Sequence, residues 1–248
     1  MKHLVRNYEQ FNRFVNDVLP DLQNDEVYFL SMSARKKYLT LEEREKYQLA
    51  RTEMMLRKIV HSKDQLHHAM NELSAQISVR TTKSGLIMPE KALVCYINVN
   101  PSSMIKALTM FKRDMNHELA QVMSALMGDG QPNYDSIKYS TRKFMNCVQK
   151  SKGTRHWLDI DVDSLDVTYR NMLVRELSDI ESHTIETHGG YHVLINREQL
   201  NQSNIQLHKV VKDIDTQLKL VGGECIFNKN AMIPVAGTLH AGKLVLLN

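Results

Sequence analysis

The apolar positions of this chain change their period along its length. Over residues 9–19 they recur at helical spacing, and Pro20 stops the run. Thr40-Leu41-Glu42-Glu43 has the form of a helix start, a hydroxyl N-cap with acids in the first turn. Tyr47, Met54, Met55 and Ile59 continue at core-facing helical spacing, which predicts a long helix broken near His61-Ser62 and resumed to about Ile77. Residues 1–80 therefore read as helical, with Met54, Met55 and Met70 as core filler. Residues 80–90, holding Gly85 and Pro89, read as a connection.

Strand patterns set in after that. Residues 92–99 (ALVCYINV) predict a buried strand; Pro101 and Ser102-Ser103 stop it and cap a helix over about 104–127. A loop over 128–133 precedes a helix over 136–150, basic on one side through Lys138, Arg142, Lys143 and Lys150. Then come a strand at 157–163, a helical stretch at 165–177, a strand at 182–186, a turn at 187–190 and a returning strand at 191–195. A helix over 199–220 is broken by Gly222-Gly223, and short strands at 224–227 and 243–247 close the chain. The layout is α/β (α+β), α-rich at its N-terminal end, without internal repeats.

Bulk properties narrow the picture a little. With 248 residues the chain makes one large domain or two small ones. Its formal charge of +4 is compatible with a polyanionic partner without arguing for one. Cys95, Cys147 and Cys225 are far apart and form no CxxC, which speaks against a zinc ribbon or a disulfide framework and for reduced thiols in the cytoplasm. The opening MKHLVRNYEQFNRF lacks the apolar run of a signal peptide, and no stretch approaches the ~18 apolar residues of a membrane span.

The chemistry concentrates in three segments. In Trp157-Leu158-Asp159-Ile160-Asp161-Val162-Asp163 the period of two puts Trp157 and the three acids on one face and Leu158, Ile160 and Val162 on the other. Acids ~6.5–7 Å apart along a buried strand suit a pair of Mg²⁺ or Mn²⁺ ions; an exposed edge strand with scattered acids is the alternative. About 25 residues on, Thr187-His188-Gly189-Gly190-Tyr191-His192 pairs a glycine turn, which lets backbone N–H groups approach a phosphate, with a strand histidine that is either a phosphate contact or a core residue. The third, Pro234-Val235-Ala236-Gly237-Thr238-Leu239-His240-Ala241-Gly242-Lys243, is by itself a turn with a histidine and a lysine.

The order and spacing of WLDIDVD, THGGYHVLI and IPVAGTLHAGK, with the earlier strand ending Asn98-Val99-Asn100-Pro101, resemble the archaeo-eukaryotic primase superfamily over about residues 92–247. The resemblance implies a primase-like core, a central mostly antiparallel sheet flanked by helices over 86–248, with a helical N-terminal region over 1–85 packed on it. It implies that Asp159 and Asp161 bind Mg²⁺ or Mn²⁺ and that His192, with Gly189 and Gly190, contacts the phosphates of a nucleoside triphosphate. His240 and Lys243 would line the same nucleotide site, and a 3′-hydroxyl would attack the α-phosphate.

The chain departs from the family pattern in three places. Glu224 is the acid nearest the position of a third metal carboxylate, Met232 stands where an arginine is usual, and Ser102-Ser103 replace another. Outside the resemblance, Arg35-Lys36-Lys37 beside Tyr38 is a candidate contact for single-stranded DNA or a primer–template, or a solvated basic turn. The expected function is a metal-dependent primase–polymerase-like nucleotidyltransferase from a phage or mobile element, with a replication helicase as candidate partner and no membrane. The alternatives are a catalytically degenerate nucleotide- or nucleic-acid-binding protein of the same fold and a metal-dependent nuclease or phosphohydrolase.

Overall fold

In β1 (Glu26–Arg35) nine consecutive residues are buried, so both faces of the strand are covered. Tyr28, Leu30, Met32 and Ala34 join the main core with Leu66, Met70 and Leu73 of α3 (Gln65–Ser78). Val27 and Phe29 alternate onto the other face, against Ala107 of α4 (Met104–Met127) and Cys147 and Val148 of α6 (Ser140–Lys150). Farther along that second face the pattern turns polar at Ser31, Ser33 and Arg35.

The structure is a computed structural model describing residues 3–49, 52–128, 130–228 and 232–248; for 52–55 and 136 it describes the backbone alone. It is a mixed α/β protein with antiparallel sheets. In the first sheet β1 lies between β2 (Thr52–Val60) and β3 (Leu93–Asn98), and β9 (Met232–Pro234) extends β3. The short β4 (Ser102–Ser103) pairs with the start of β1. The second sheet has the order β12 (Leu246–Leu247), β6 (Ser182–Glu186), β7 (Tyr191–Asn196), β5 (Trp157–Val162), β8 (Cys225–Phe227). Ile160 and Val162 of β5 pack under Leu173 of α7 (Val167–Glu176) and Val211, Ile214 and Leu218 of α9 (Leu207–Leu220). On the opposite face Trp157 enters the main core, where its Nε1–H donates to Val18 O at 2.8 Å. The period of two read in this strand is present.

Two expectations for the N-terminal part are overturned. Residues 26–35 and 52–60 are paired strands, not helix. The apolar run VYFL is covered on both sides, so it carries no alternation to read, and short apolar runs do not separate strand from helix. Because β1 also pairs with β3, one sheet crosses the expected boundary at residue 85, and the described part of residues 1–85 is not a separate helical region. α2 (Leu41–Tyr47) does begin at Thr40, whose capping box with Glu43 is complete, but it ends at Gln48, which takes a positive φ of 49°.

Other elements follow the pattern with breaks. The helix expected over 136–150 is α5 (Asp135–Lys138) and α6, and that over 199–220 is α8 (Arg197–Gln202) and α9. The last strand is divided between β11 (Lys243–Leu244), paired with β10 (Leu239–His240), and β12, paired with β6. Met70 is core; the side chains of Met54 and Met55, and Asp129 in the 128–133 loop, lie outside the described residues. Among the described residues no helix is long and apolar enough to cross a membrane.

Candidate functional site

A cleft of about 630 Å³ lies between the two sheets. The first sheet contributes Ser31, Ser33, Arg35 and Tyr96; Lys37 and Tyr38 follow β1. The second sheet contributes Asp161 and His192, with Asp163 just past β5. Gly189, Gly190, Asn228 and His240 also lie in the walls. Acids from one sheet thus face cations from segments more than a hundred residues away.

The register of β5 on β7 sets Asp161 directly opposite His192. The His192 Nδ1 lies 3.2 Å from Asp159 Oδ1, and its Nε2 lies 3.9 Å from Asp161 Oδ1. Burial works against a charged imidazole, but Asp159 and then Asp161 outweigh it and hold the His192 pKa above its usual value. Burial likewise raises Asp161; Asp159 and Asp163 push in the same direction, while His192 and Lys37 oppose it. The acids of this strand repel one another, and a cation between them removes that cost.

Asp159 occupies a different place from the one expected. Its side chain is fully enclosed, with His192 on one oxygen and Asn228 Nδ2 donating to the other at 2.6 Å. The side chains that open into the cleft are Asp161 and Asp163, the latter read as the weakest of the three. The shared face is as predicted, but it sinks into the core toward Trp157, and only its far end is open.

Glu224 is exposed outside the cleft. Only its backbone takes part, its carbonyl accepting from Asp163 N at 2.8 Å, so it is not a third acid of this site. Lys243 also lies off the cleft wall, paired through Nζ with Glu186 Oε1 at 2.7 Å. Gly189 and Gly190 do line the cleft, and Gly190 carries a packing demand: a Cβ there would come 1.9 Å from Val162 O. Of the basic cluster, Arg35 and Lys37 line the cleft and Lys36 does not.

Arg35 Nη1 donates to Tyr96 OH at 2.9 Å, and Lys37 Nζ sits 5.0 Å from the centre of the Tyr38 ring. Tyr38 OH is 2.5 Å from Nε2 of His240. Burial, aided by His188, His192, Arg35 and Lys37, drives the His240 pKa down to about 3, so the ring is neutral. Its Nδ1 is buried without a hydrogen-bond partner among the described residues. The sequence reading missed Tyr96, Asn228, Ser31 and Ser33. The two serines left a signal, polar residues at every second position of an otherwise apolar run; Tyr96 and Asn228 left none.

Among the described residues no group of three or more His, Cys, Asp or Glu side chains is arranged to hold a metal ion. The donors on hand are two cleft-facing carboxylates. That set fits a hard cation of the Mg²⁺ type, which is commonly bound by one or two carboxylates and completed by water and phosphate oxygens. Comparison with models of known families, with curated proteins and with solved structures finds no match to this chain.

Proposed function

We propose that the cleft binds the phosphate chain of a nucleoside triphosphate with Mg²⁺ or Mn²⁺, and that the protein is a primase–polymerase-like nucleotidyltransferase. The observation that carries this reading is the opposition of Asp161 and Asp163 to Arg35 and Lys37 across one cleft of about 630 Å³, a volume ordinary for a nucleotide-sized ligand. The ordered motifs that resemble the archaeo-eukaryotic primases supply the reaction class.

Asp161 and Asp163 would hold the ion, which when bound neutralises phosphate charge. Arg35 and Lys37 supply positive charge to phosphate oxygens, with the Arg35 fork steadied by Tyr96. Asp159 positions His192 through Nδ1, favours the charged ring, and leaves Nε2 beside Asp161 on the cleft wall. The transfer would join a strand's 3′-oxygen to the α-phosphorus, its proton passing to solvent, as the bond to the departing pyrophosphate breaks.

One observation favours a second reading. Asn228 places an amide against Asp159, adding no negative charge to the acid face. This suits a protein that keeps nucleotide or nucleic-acid binding without transfer. Extension of a single-stranded template with labelled nucleotides and Mn²⁺ separates the readings. Transfer predicts products from the wild type and a loss on the order of 10²-fold or more in Asp161→Ala. Nucleotide binding without product sinks the transferase and leaves the binder. A labelled strand shortened without added nucleotides points to the nuclease.

A further inference from the structure

A polar strip leads away from this cleft across the first sheet and onto α6. Ser31 and Ser33 carry the cleft face of β1 back from Arg35 at steps of about 7 Å. Ser31 is directly opposite Arg57 on β2, so the two share that face. Arg57 Nη1 in turn donates to Asn146 Oδ1 at 2.6 Å and reaches the Arg142 carbonyl at 3.5 Å. Arg142, Asn146 and Gln149 are spaced by four and three residues, one face of α6, and Gln149 returns to the cleft wall.

The outer end of the strip combines cations with aromatic rings. Tyr139 and Tyr134 are half exposed, and Lys138 Nζ lies 5.5 Å from the centre of the Tyr139 ring. Arg142 is exposed, and among the described residues no carboxylate pairs with it or with Lys138; Lys143, on another face, is taken by Glu118. Burial and the neighbouring Arg142 both lower the Arg57 pKa, as expected for two cations held close, a repulsion that an anion beside them relieves.

We propose that this strip, from Tyr139 and Lys138 through Arg142 and Arg57 to Ser31 and Arg35, is a track for a single strand of nucleic acid leading into the cleft. It rests on the functional reading above, and it adds the strand's path and the residues that hold it. Cations spaced along a groove track the phosphates, and exposed tyrosines give the bases a stacking surface; that combination selects single strands without demanding a sequence. Along α6 itself, from Arg142 to Gln149, the helical rise spans roughly 10 Å; Lys138 belongs to the short α5, across the break at Tyr139. Two residues far apart in the chain, Arg57 and Arg142, meet only in the fold, so the track is absent from any one segment.

The test uses the whole protein and a fluorescent single-stranded oligonucleotide of mixed sequence, with affinity measured across a salt series. Lys138→Glu/Arg142→Glu is expected to weaken binding on the order of tenfold or more and to lower the slope of log affinity against log salt by about 1.4, two phosphate contacts at ~0.7 each. Tyr139→Ala is expected to weaken binding by several-fold with the slope unchanged. An unchanged affinity and slope in the double variant, with its thermal unfolding intact, overturns the track. So does a wild type that binds duplex more tightly than single strand, or one that binds no single strand. Binding of a fluorescent nucleoside triphosphate with Mn²⁺, read in the same samples, keeps the two proposals apart. Its loss in the wild type fails the cleft reading, while strand binding lost in the double variant alone reports on the track.

Discussion

Replacing Gly190 by alanine tests why the glycine pair lies beside the acids. A Cβ at Gly190 would stand 1.9 Å from Val162 O and 2.8 Å from Ser164 N, whereas ordinary contact begins at 3.4 Å. The obstacles are main-chain atoms at the end of β5, so the strand that carries Asp161 and leads into Asp163 would have to retreat by roughly 1.5 Å. Overpacking usually costs about 1–3 kcal/mol, and an obstacle with no rotamer to change puts this site near the upper end, about 3 kcal/mol. For a chain of this length that is a fall in melting temperature of roughly 6–12 °C. At Gly189 an added Cβ meets only the Asp163 Oδ1, at 3.2 Å, an atom at the end of a side chain that can turn away. Gly189→Ala should therefore stay within about 0.5 kcal/mol of the wild type. The assay is urea unfolding followed by fluorescence of Trp157, the single tryptophan of the chain, which sits in β5 itself. If Gly190→Ala unfolds within about 0.5 kcal/mol of the wild type, the packing argument fails. Equal losses from both alanines refute it as well.

Three further outcomes follow from the electrostatics. Asp159→Asn removes the enclosed partner of His192 and should cost about 3 kcal/mol near pH 6. Because the folded pKa of His192 lies above its ordinary 6.5, the pair's stabilisation is whole below 6.5 and is lost as pH rises through the folded value; a deficit that stays constant into alkaline solution would contradict the pairing. Glu26 is buried, which alone would raise its pKa, yet backbone N–H groups of Thr154 and Gln23 at 2.6 and 3.1 Å hold it below 4.5. Glu26→Gln should cost about 1–2 kcal/mol at neutral pH. Its unfolding curve should converge on the wild type's as pH falls below 4.5 through the lowered folded value, and an unchanging gap would rule this account out. His240, with its pKa driven down to about 3, should show imidazole NMR signals that do not move between about pH 5 and pH 8; a midpoint inside that window would mean that its surroundings are wetter than the structure has them.

The legible parts of this protein are those where one side of an element is buried and the other is not. β5 could be read because Ile160 and Val162 alternate with acids, and β6, β7 and α4 because breakers and caps mark their ends: Ser103 Oγ accepts from Lys106 N, as a helix start requires. The first half of β1 could not be read, because VYFL is covered on both faces and carries no alternation, and no local pattern reports a neighbour. β2 reads as helix because Tyr47, Met54, Met55 and Ile59 match helical spacing by accident, and pairing with β1 overrides it.

The same division runs through the site. Residue type and order alone put Asp159, Asp161 and His192 on strands, since strand periodicity and a glycine turn are local properties; that the two strands are neighbours came from the fold. Which acid opens to solvent was not a local property: Asp159 is enclosed because His192 and Asn228 reach it from the strands on either side of β5. Glu224 and Lys243 carry suitable charges, but Glu224 is exposed outside the cleft and Lys243 is paired with Glu186, whereas Arg35 and Lys37, distant in the chain, arrive opposite Asp161 because the two sheets wall one cleft. Local chemistry named the candidate groups; pairing and packing between distant strands chose among them, because burial and charge opposition exist only between segments that the fold has brought together.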